Sequence, residues 1–225
     1  MENIIIYRAE TRGSADLGWL QANPTFSFGH YYHPGRMQFG ALRVLNDDTI
    51  AGEKGFGDHP HDNMEIITIP LAGALTHHDN LGNTVVIHAG EIQVISAGTG
   101  LYHSEMNTDP AVSAQVLQIW LYPNRRNVEP RYEHAQLSVS ERNTWHQILS
   151  PSPDDDGVWI YQDAWFSIGK FDEGRETAYQ LKNSADGVYV FVISGEANVN
   201  GQDLHPRDGM GLTGIEQLTL SLIHI

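Results

Sequence analysis

The sequence predicts an all-β protein, and three observations carry that reading. Helical periodicity is scarce, short apolar runs rich in β-branched and aromatic residues recur at nearly regular intervals, and Gly, Pro, Asn or Asp bounds almost every run. Such spacing belongs to a sandwich or barrel of many short strands. In chain order the runs are ALRVLND, MEIITIPLAG, NTVVIHAGEIQVISAG, SAQVLQIWLYP, VWIYQDAWFSIGKF, GVYVFVISGEANVNGQ and EQLTLSLI. HHDNLGN and NVNGQ fall between apolar runs as hairpin turns, the second carrying the Asn-Gly pair that tolerates positive φ.

With 225 residues, 40% of them hydrophobic, the chain can form one large all-β domain or two small ones with packed cores. Between Tyr122 and Asp156 the composition changes: YPNRRNVEPRYEH and SPSPDDDG carry prolines and charges that the flanking strands lack, which suggests an interdomain connection near Arg131. The two halves echo each other, since IPLAGALTHHDNLGNTVVIHAGE and FVISGEANVNGQDLHPRDG both run strand, glycine, hairpin, strand, turn. Only the first copy is rich in histidine. The closing LSLIHI, Leu220 to Ile225, is open to two readings. It is a genuine last strand, or it is one reading frame of a sequencing-library adaptor, in which case the second half is truncated and left with an exposed sheet edge.

Lys+Arg of 13 against Asp+Glu of 28 gives −15 at pH 7. A surface of that sign repels phosphate backbones and anionic lipid, so direct nucleic-acid and membrane partners are disfavoured, while a protein partner is not. With no cysteine, any metal must be held by His, Asp, Glu and water. The N-terminal MENIIIYRAETRG lacks the basic flank and cleavage site of a signal peptide, and no run reaches bilayer length, so the expectation is a cytoplasmic protein.

The densest set of chemical groups lies in GFGDHPHDNMEIITIPLAG, Gly55 to Gly73. Side chains alternate faces along a strand, so His59, His61 and Glu65 point one way if no bulge intervenes. A second stretch, SAGTGLYHSEMN, places His103 and Glu105 two apart, again on one face, after a Gly-rich turn. An H-x-H pair alone is weak evidence, met more often at structural strand ends. A second His-x-Glu on a neighbouring β-run, in a chain without thiols, turns the balance toward a metal site.

These stretches resemble the two cupin motifs, G…H-x-H-x3-E…G and G-x-x-H-x3-N, with His59, His61 and Glu65 in the first and Gly100, His103 and Asn107 in the second. A closer resemblance is to the pirin family, and within it to bacterial pirin-like quercetin 2,3-dioxygenases. It rests on TFSFGHYY, FGALRVLNDD, GFGDHPHDNMEI, HHDNLGN, AGEIQVISAGTGLYHSE and QIWLYP; it covers most of Thr25 to Tyr132 and then thins, though VFVISGEANVNG is similar to the family's second domain.

The resemblance implies a bicupin: two tandem antiparallel β-barrels of jelly-roll type, with residues 1–131 as a cupin domain bearing a metal site and 132–225 as a cupin-like domain without metal ligands. It implies His59, His61, His103 and Glu105 as ligands. Glu65, the carboxylate ligand of many other cupins, is then left to line the pocket or support the ligands. Three neutral imidazoles and a carboxylate suit Fe(II) best and also accept Mn, Co, Ni, Cu or Zn. The implied reaction is cleavage of the flavonol quercetin, or of a related enol-bearing aromatic, by dioxygen with release of carbon monoxide, Glu105 taking the proton of the 3-hydroxyl. Phe26, Phe28, Tyr31 and Phe56 are available to line an aromatic pocket mouth, or to be ordinary core. Two other readings stay open: a non-catalytic metal or redox sensor acting through a protein partner, and a cupin isomerase or lyase.

Other polar residues receive blander readings. His77, in HHDNLGN beside His78, is expected to have a structural hydrogen-bonding role. His30 and His33 are within reach of a pocket rim, and they mark a departure from the family's pattern, since relatives often have His where Pro24 stands and Asp where His33 stands. His88, His134, His146 and His205 are expected at the surface, the acidic run Asp154 to Asp156 as a solvated turn, and Ser104 has no paired base at hydrolase spacing.

Overall fold

The chain is described by a computed structural model covering residues 3–139 and 141–224, the side chains of residues 223 and 224 excepted. Among the described residues the regular elements are β-strands and one 3-10 turn, Ala9–Thr11, as the periodicity predicts. The strands divide between two compact units that interleave along the sequence: Gly13–Leu137 with Gln147–Phe166, and Met1–Arg12 with Ser138–His146 and Ser167–Ile225.

The unit that holds the histidines is built on two antiparallel sheets. One has seven strands in the order Arg131–Gln136, Glu91–Ser96, Glu65–Ala72, Ala114–Leu121, Leu42–Ile50, Leu20–Pro24, Ala15–Asp16; the other has four, in the order Lys54–His61, Leu101–Asn107, Ala74–Asp79, Thr84–His88. Their apolar faces share cores. Ile66 and Ile95 of the larger sheet, with Ala97 just beyond its strand, pack with Leu101 of the smaller, and Ile50, Ala114 and Val116 pack with Leu75. The central strands read as continuous apolar runs because they are covered on both faces: Glu65 to Pro70 and Glu91 to Ser96 are buried throughout. Pro70 is tolerated mid-sheet because the register with Ala114–Leu121 shifts beside its partner Val116.

The composition change near Arg131 coincides with a strand rather than a linker, since Arg131–Gln136 pairs with Glu91–Ser96 over six residues. Charge is affordable there because the strand lies at the sheet edge. One short pairing, Leu149–Ser150 with Val158–Trp159, is parallel, a small departure from the antiparallel expectation.

The other unit pairs Gly209–Thr213 with Asn3–Tyr7 on one side and Val188–Phe191 on the other, and orders Glu176–Gln180, Gln217–His224, Glu196–Val199, Gln202–Leu204 in a second sheet. Val192, Ala197, Val199, Leu204, Met210, Leu212, Leu218 and Leu220 form its core. The NVNGQ turn forms as expected, with Asn200 and Gly201 both at positive φ (47° and 79°). Leu220 to His224 lie in the strand Gln217–His224; Ile225 lies outside the described residues.

Candidate metal centre

Lys54–His61 and Leu101–Asn107 are antiparallel neighbours, and their register sets His103 opposite His59 and Leu101 opposite His61. Alternation along the second strand buries Leu101, His103, Glu105 and Asn107 while Tyr102 stays exposed. The three imidazoles therefore converge. Ring centroids are 4.5 Å apart for His59 and His103, 4.8 Å for His59 and His61, and 4.9 Å for His61 and His103. One ring nitrogen from each lies within 4.8 Å of the other two. Nitrogens about 2.1 Å from a shared ion stand roughly 3 to 4 Å apart, so the rings need only small rotations to share one.

The protonation states suit a metal. His59 Nδ1–H donates to the Gly57 carbonyl at 2.7 Å, which leaves the Nε2 lone pair for a ligand bond. His103 is fully buried, and neither of its ring nitrogens has a hydrogen-bond partner. Burial, then the nearby His59 and His77, push its pKa down to about 3. Burial, then His103 and His59, lower that of His61 to about 4. Both rings are thus neutral at neutral pH. A buried polar group left unbonded costs about 1–3 kcal/mol, and a metal ion is the partner that would satisfy His103. The donor set fits the group.

On the other flank, Ala74–Asp79 pairs with Leu101–Asn107 so that His77 faces Glu105 and Asp79 faces His103. The Asp79 carboxylate accepts from the backbone N–H groups of Leu81 and Asn83, from Asn83 Nδ2 and from His77 Nε2. Burial alone would raise its pKa; the bonds from His77 and Asn83 outweigh that and hold it below the usual range. His77 thus has the structural hydrogen-bonding role expected of it, and it stacks on Tyr132 at 4.5 Å and 17°. His78 is exposed and bonds Thr84 at 2.9 Å.

Glu105 is buried on the same strand as His103 but stands outside the histidine cluster. Its Oε1 meets Thr68 Oγ1 at 2.9 Å and Gln93 Nε2 at 3.1 Å, and its Oε2 accepts from Gln118 Nε2 at 2.8 Å. The strand-parity argument for Glu65 does not survive. A turn at Asp62 to Met64, with Asn63 at φ 45°, breaks the strand after His61, and Glu65 opens a strand of the other sheet, where Ser96 Oγ donates to it at 2.6 Å. Burial raises the Glu65 pKa.

Of the aromatic candidates, Phe56 lies edge-on to His59 at 6.4 Å and Phe28 edge-on to Trp120 at 5.2 Å, while Phe26 is wholly enclosed in the core. Tyr31 bridges Phe28 through paired backbone bonds, its buried hydroxyl without a partner. His30 and His33 are exposed, and His33 Nδ1 accepts from the Gly35 N–H within its own loop. His88, His134 and His205 are exposed and His146 half-buried.

Trp120 and Tyr132 were not singled out by the sequence reading. Trp120 stands edge-on to His61 at 4.9 Å, and its indole N–H and the Tyr132 hydroxyl are both buried without partners. Thr68, Gln93 and Gln118 escaped it too, although each is a polar residue inside an apolar run (EIITIP, EIQVIS, VLQIWL), a pattern that marks an inward-facing polar position.

Comparison with known proteins places the fold in a family. The Pirin family profile matches residues 7–121, and a profile described as Quercetinase C-terminal cupin domain matches residues 147–224. A protein named Quercetin 2,3-dioxygenase from Escherichia coli (strain K12) is 36% identical over 209 residues, covering 93% of this chain and 89% of that protein. A Pirin-like protein of Caulobacter vibrioides is 39% identical over 213 residues, covering 94% and 91%. The crystal structure of bacterial pirin YhhW in complex with nickel(II) from Escherichia coli superposes with a TM-score of 0.92 at 35% identity, covering 99% of this chain and 96% of that one. The two antiparallel units are therefore a bicupin, and the chain belongs to the pirin family.

Proposed function

We propose that the chain is a mononuclear metal-dependent dioxygenase that opens the central ring of the flavonol quercetin or of a related enol-bearing aromatic. The observation that supports this most directly is the triad of His59, His61 and His103, with both nitrogens of the buried His103 unpartnered. The names of the relatives support the substrate class. The proposed ligand set is that triad with Glu105, all from the unit formed by Gly13–Leu137 with Gln147–Phe166 rather than from a continuous domain of residues 1–131, the other unit contributing none; the proposed ion is Fe(II), and the proposed compartment the cytoplasm.

A bound divalent ion supplies the Lewis acidity that favours an enolate and the redox activity that dioxygen chemistry requires. The protein's own groups do the rest. Glu105 accepts the 3-hydroxyl proton through the carboxylate face not taken by its hydrogen bonds. Phe56 beside His59, and Trp120 beside His61 with Phe28 behind it, offer ring surfaces for a flat substrate. In the balanced reaction both atoms of dioxygen enter the depside product, two C–C bonds break, and the carbon between them leaves as carbon monoxide.

The test is to load metal-stripped protein with each ion in turn and follow flavonol absorbance together with oxygen uptake. Coupled loss of both, with carbon monoxide in the headspace, is expected with Fe(II). Tight metal binding without turnover of any flavonol defeats the catalytic reading in favour of a metal sensor, and product formation without oxygen points to an isomerase or lyase.

A further inference from the structure

The larger sheet carries a polar row aimed at Glu105. Thr68 pairs directly with Gln93 on one neighbouring strand and with Gln118 on the other, so the three stand side by side across the sheet. Residues in such a row project to one face. All three reach the Glu105 carboxylate, which comes from the opposing four-stranded sheet. The row is also bonded to itself: Gln93 Nε2 lies 3.2 Å from Thr68 Oγ1, and Thr68 Oγ1 lies 2.7 Å from Gln118 Oε1. The carboxylate fixes the Gln118 amide, since it only accepts and the amide nitrogen must face it; the amide oxygen then faces Thr68, whose single proton is shared between Gln118 Oε1 and Glu105 Oε1. Thr68, Gln93 and Glu105 are buried, where an amide and a hydroxyl are costly to place unless they are bonded.

A carboxylate has about four lone-pair directions. Thr68 and Gln93 occupy both directions of Oε1, and Gln118 occupies one of the two on Oε2. We propose that Thr68, Gln93 and Gln118 are positioning residues that close Oε1 and leave one direction of Oε2 as the only face Glu105 presents to the metal or to the substrate hydroxyl. The clamp makes Glu105 a one-point carboxylate. It cannot chelate through both oxygens, and it cannot rotate away without breaking its bonds to Gln93 and Gln118 together with the contact to the shared Thr68 proton. Outer partners of metal ligands are worth roughly 10–100-fold in metal affinity, and here three such partners act on one ligand. The inference rests on Glu105 being a ligand, as proposed above.

The test is a double-mutant cycle on the full chain, titrating nickel(II) into metal-stripped protein by calorimetry, with thermal melts to establish folding. Thr68→Val and Gln118→Leu are each expected to weaken nickel binding by about 10-fold or more, and Thr68→Ser, which keeps the hydroxyl, to restore it to within about threefold. In a Glu105→Gln background both effects should nearly vanish, because the residues act through that carboxylate. Gln118 is only half-buried, so Gln118→Leu serves if Thr68→Val fails to fold. If Glu105→Gln binds nickel as the unaltered chain does, the ligand assignment falls and the clamp with it. If Glu105→Gln weakens binding but the clamp variants do not, or lose the same factor in both backgrounds, the clamp alone is refuted.

Discussion

His59 and His103 occupy directly paired positions on adjacent antiparallel strands, and their ring centroids stand 4.5 Å apart. The sheet hydrogen bonds that fix the register therefore also fix the separation of the two imidazoles, before any ion arrives. Such preorganisation means that losing one ring is not compensated by the others. His103→Ala should lower metal affinity by more than the roughly 10–100-fold typical of losing an outer partner, measured as bound metal per chain after dialysis. Full retention of metal would remove His103 from the site.

The protonation of the triad gives the metal-free protein a distinctive acid response. In the folded chain His61 and His103 titrate at about 4 and about 3, below their ordinary value of 6.5. As pH falls below 6.5 the unfolded chain takes up protons first, so stability declines from there until the folded-state values are reached. Replacing His103 by Asn removes one such proton. The variant should lose less stability than the unaltered protein between pH of about 7 and about 5, as compared by urea unfolding of metal-stripped samples. Equal losses would contradict the shift.

Glu65 and Glu105 separate cleanly by substitution. Glu65 lies on the other sheet, bonded to Ser96, and burial raises its pKa. Its folded-state stability contribution is therefore present at low pH and is lost as pH rises through the raised value. Glu65→Gln should keep the metal and be neutral to mildly stabilising at neutral pH, whereas Glu105→Gln should lose metal. The reverse pattern in elemental analysis would overturn the ligand set.

Asp79 holds the hairpin after Ala74–Asp79 through three bonds to Leu81 and Asn83 and anchors His77 with a fourth. Asp79→Ala strands several buried donors at about 1–3 kcal/mol each, partly relieved by solvent at the loop. A net loss of roughly 2–4 kcal/mol is expected in chemical denaturation. A loss below about 0.5 kcal/mol would show that the network is not structural.

In the other unit, Asp208 is buried and accepts from Arg8 Nη1 at 2.7 Å and from the N–H groups of Ala9 and His205. Burial would raise its pKa, but the bonds from His205, Arg8 and Ala9 prevail and lower it. Its contribution is present above the ordinary carboxylate pKa and is lost as pH falls through the depressed value. Asp208→Asn should flatten that part of the acid unfolding curve and speed amide exchange in Asn3–Tyr7, read by mass spectrometry.

The histidines, the two-residue alternation and the Asn-Gly turn were legible because each is local: spacing along a strand decides which way a side chain points. What lay beyond reach depends on which strands become neighbours. The parity of Glu65 failed at a turn that sequence spacing alone does not reveal. Trp120 carries no local sign of its place, because nothing in the spacing says that Ala114–Leu121 passes behind His61. Thr68, Gln93 and Gln118 gave a local sign, a polar residue in an apolar run, but their common target emerges only from the cross-strand register. Arg131–Gln136 was read as a connection because edge strands carry the charges and prolines that loops also carry.

The pairing of Asn3–Tyr7 with Gly209–Thr213, pinned by a contact between Arg8 and Asp208 at a separation of 200 residues, bears on how the protein is made. The strand Asn3–Tyr7 has no partner until Gly209–Thr213, about 200 residues later, has been synthesised. Until then Ile4 to Ile6 form a short apolar segment with unpaired backbone, the kind of edge that chaperones bind and that seeds aggregation. Contacts of such range slow folding, so the yield of active protein should depend on translation rate and temperature more steeply than its final stability suggests.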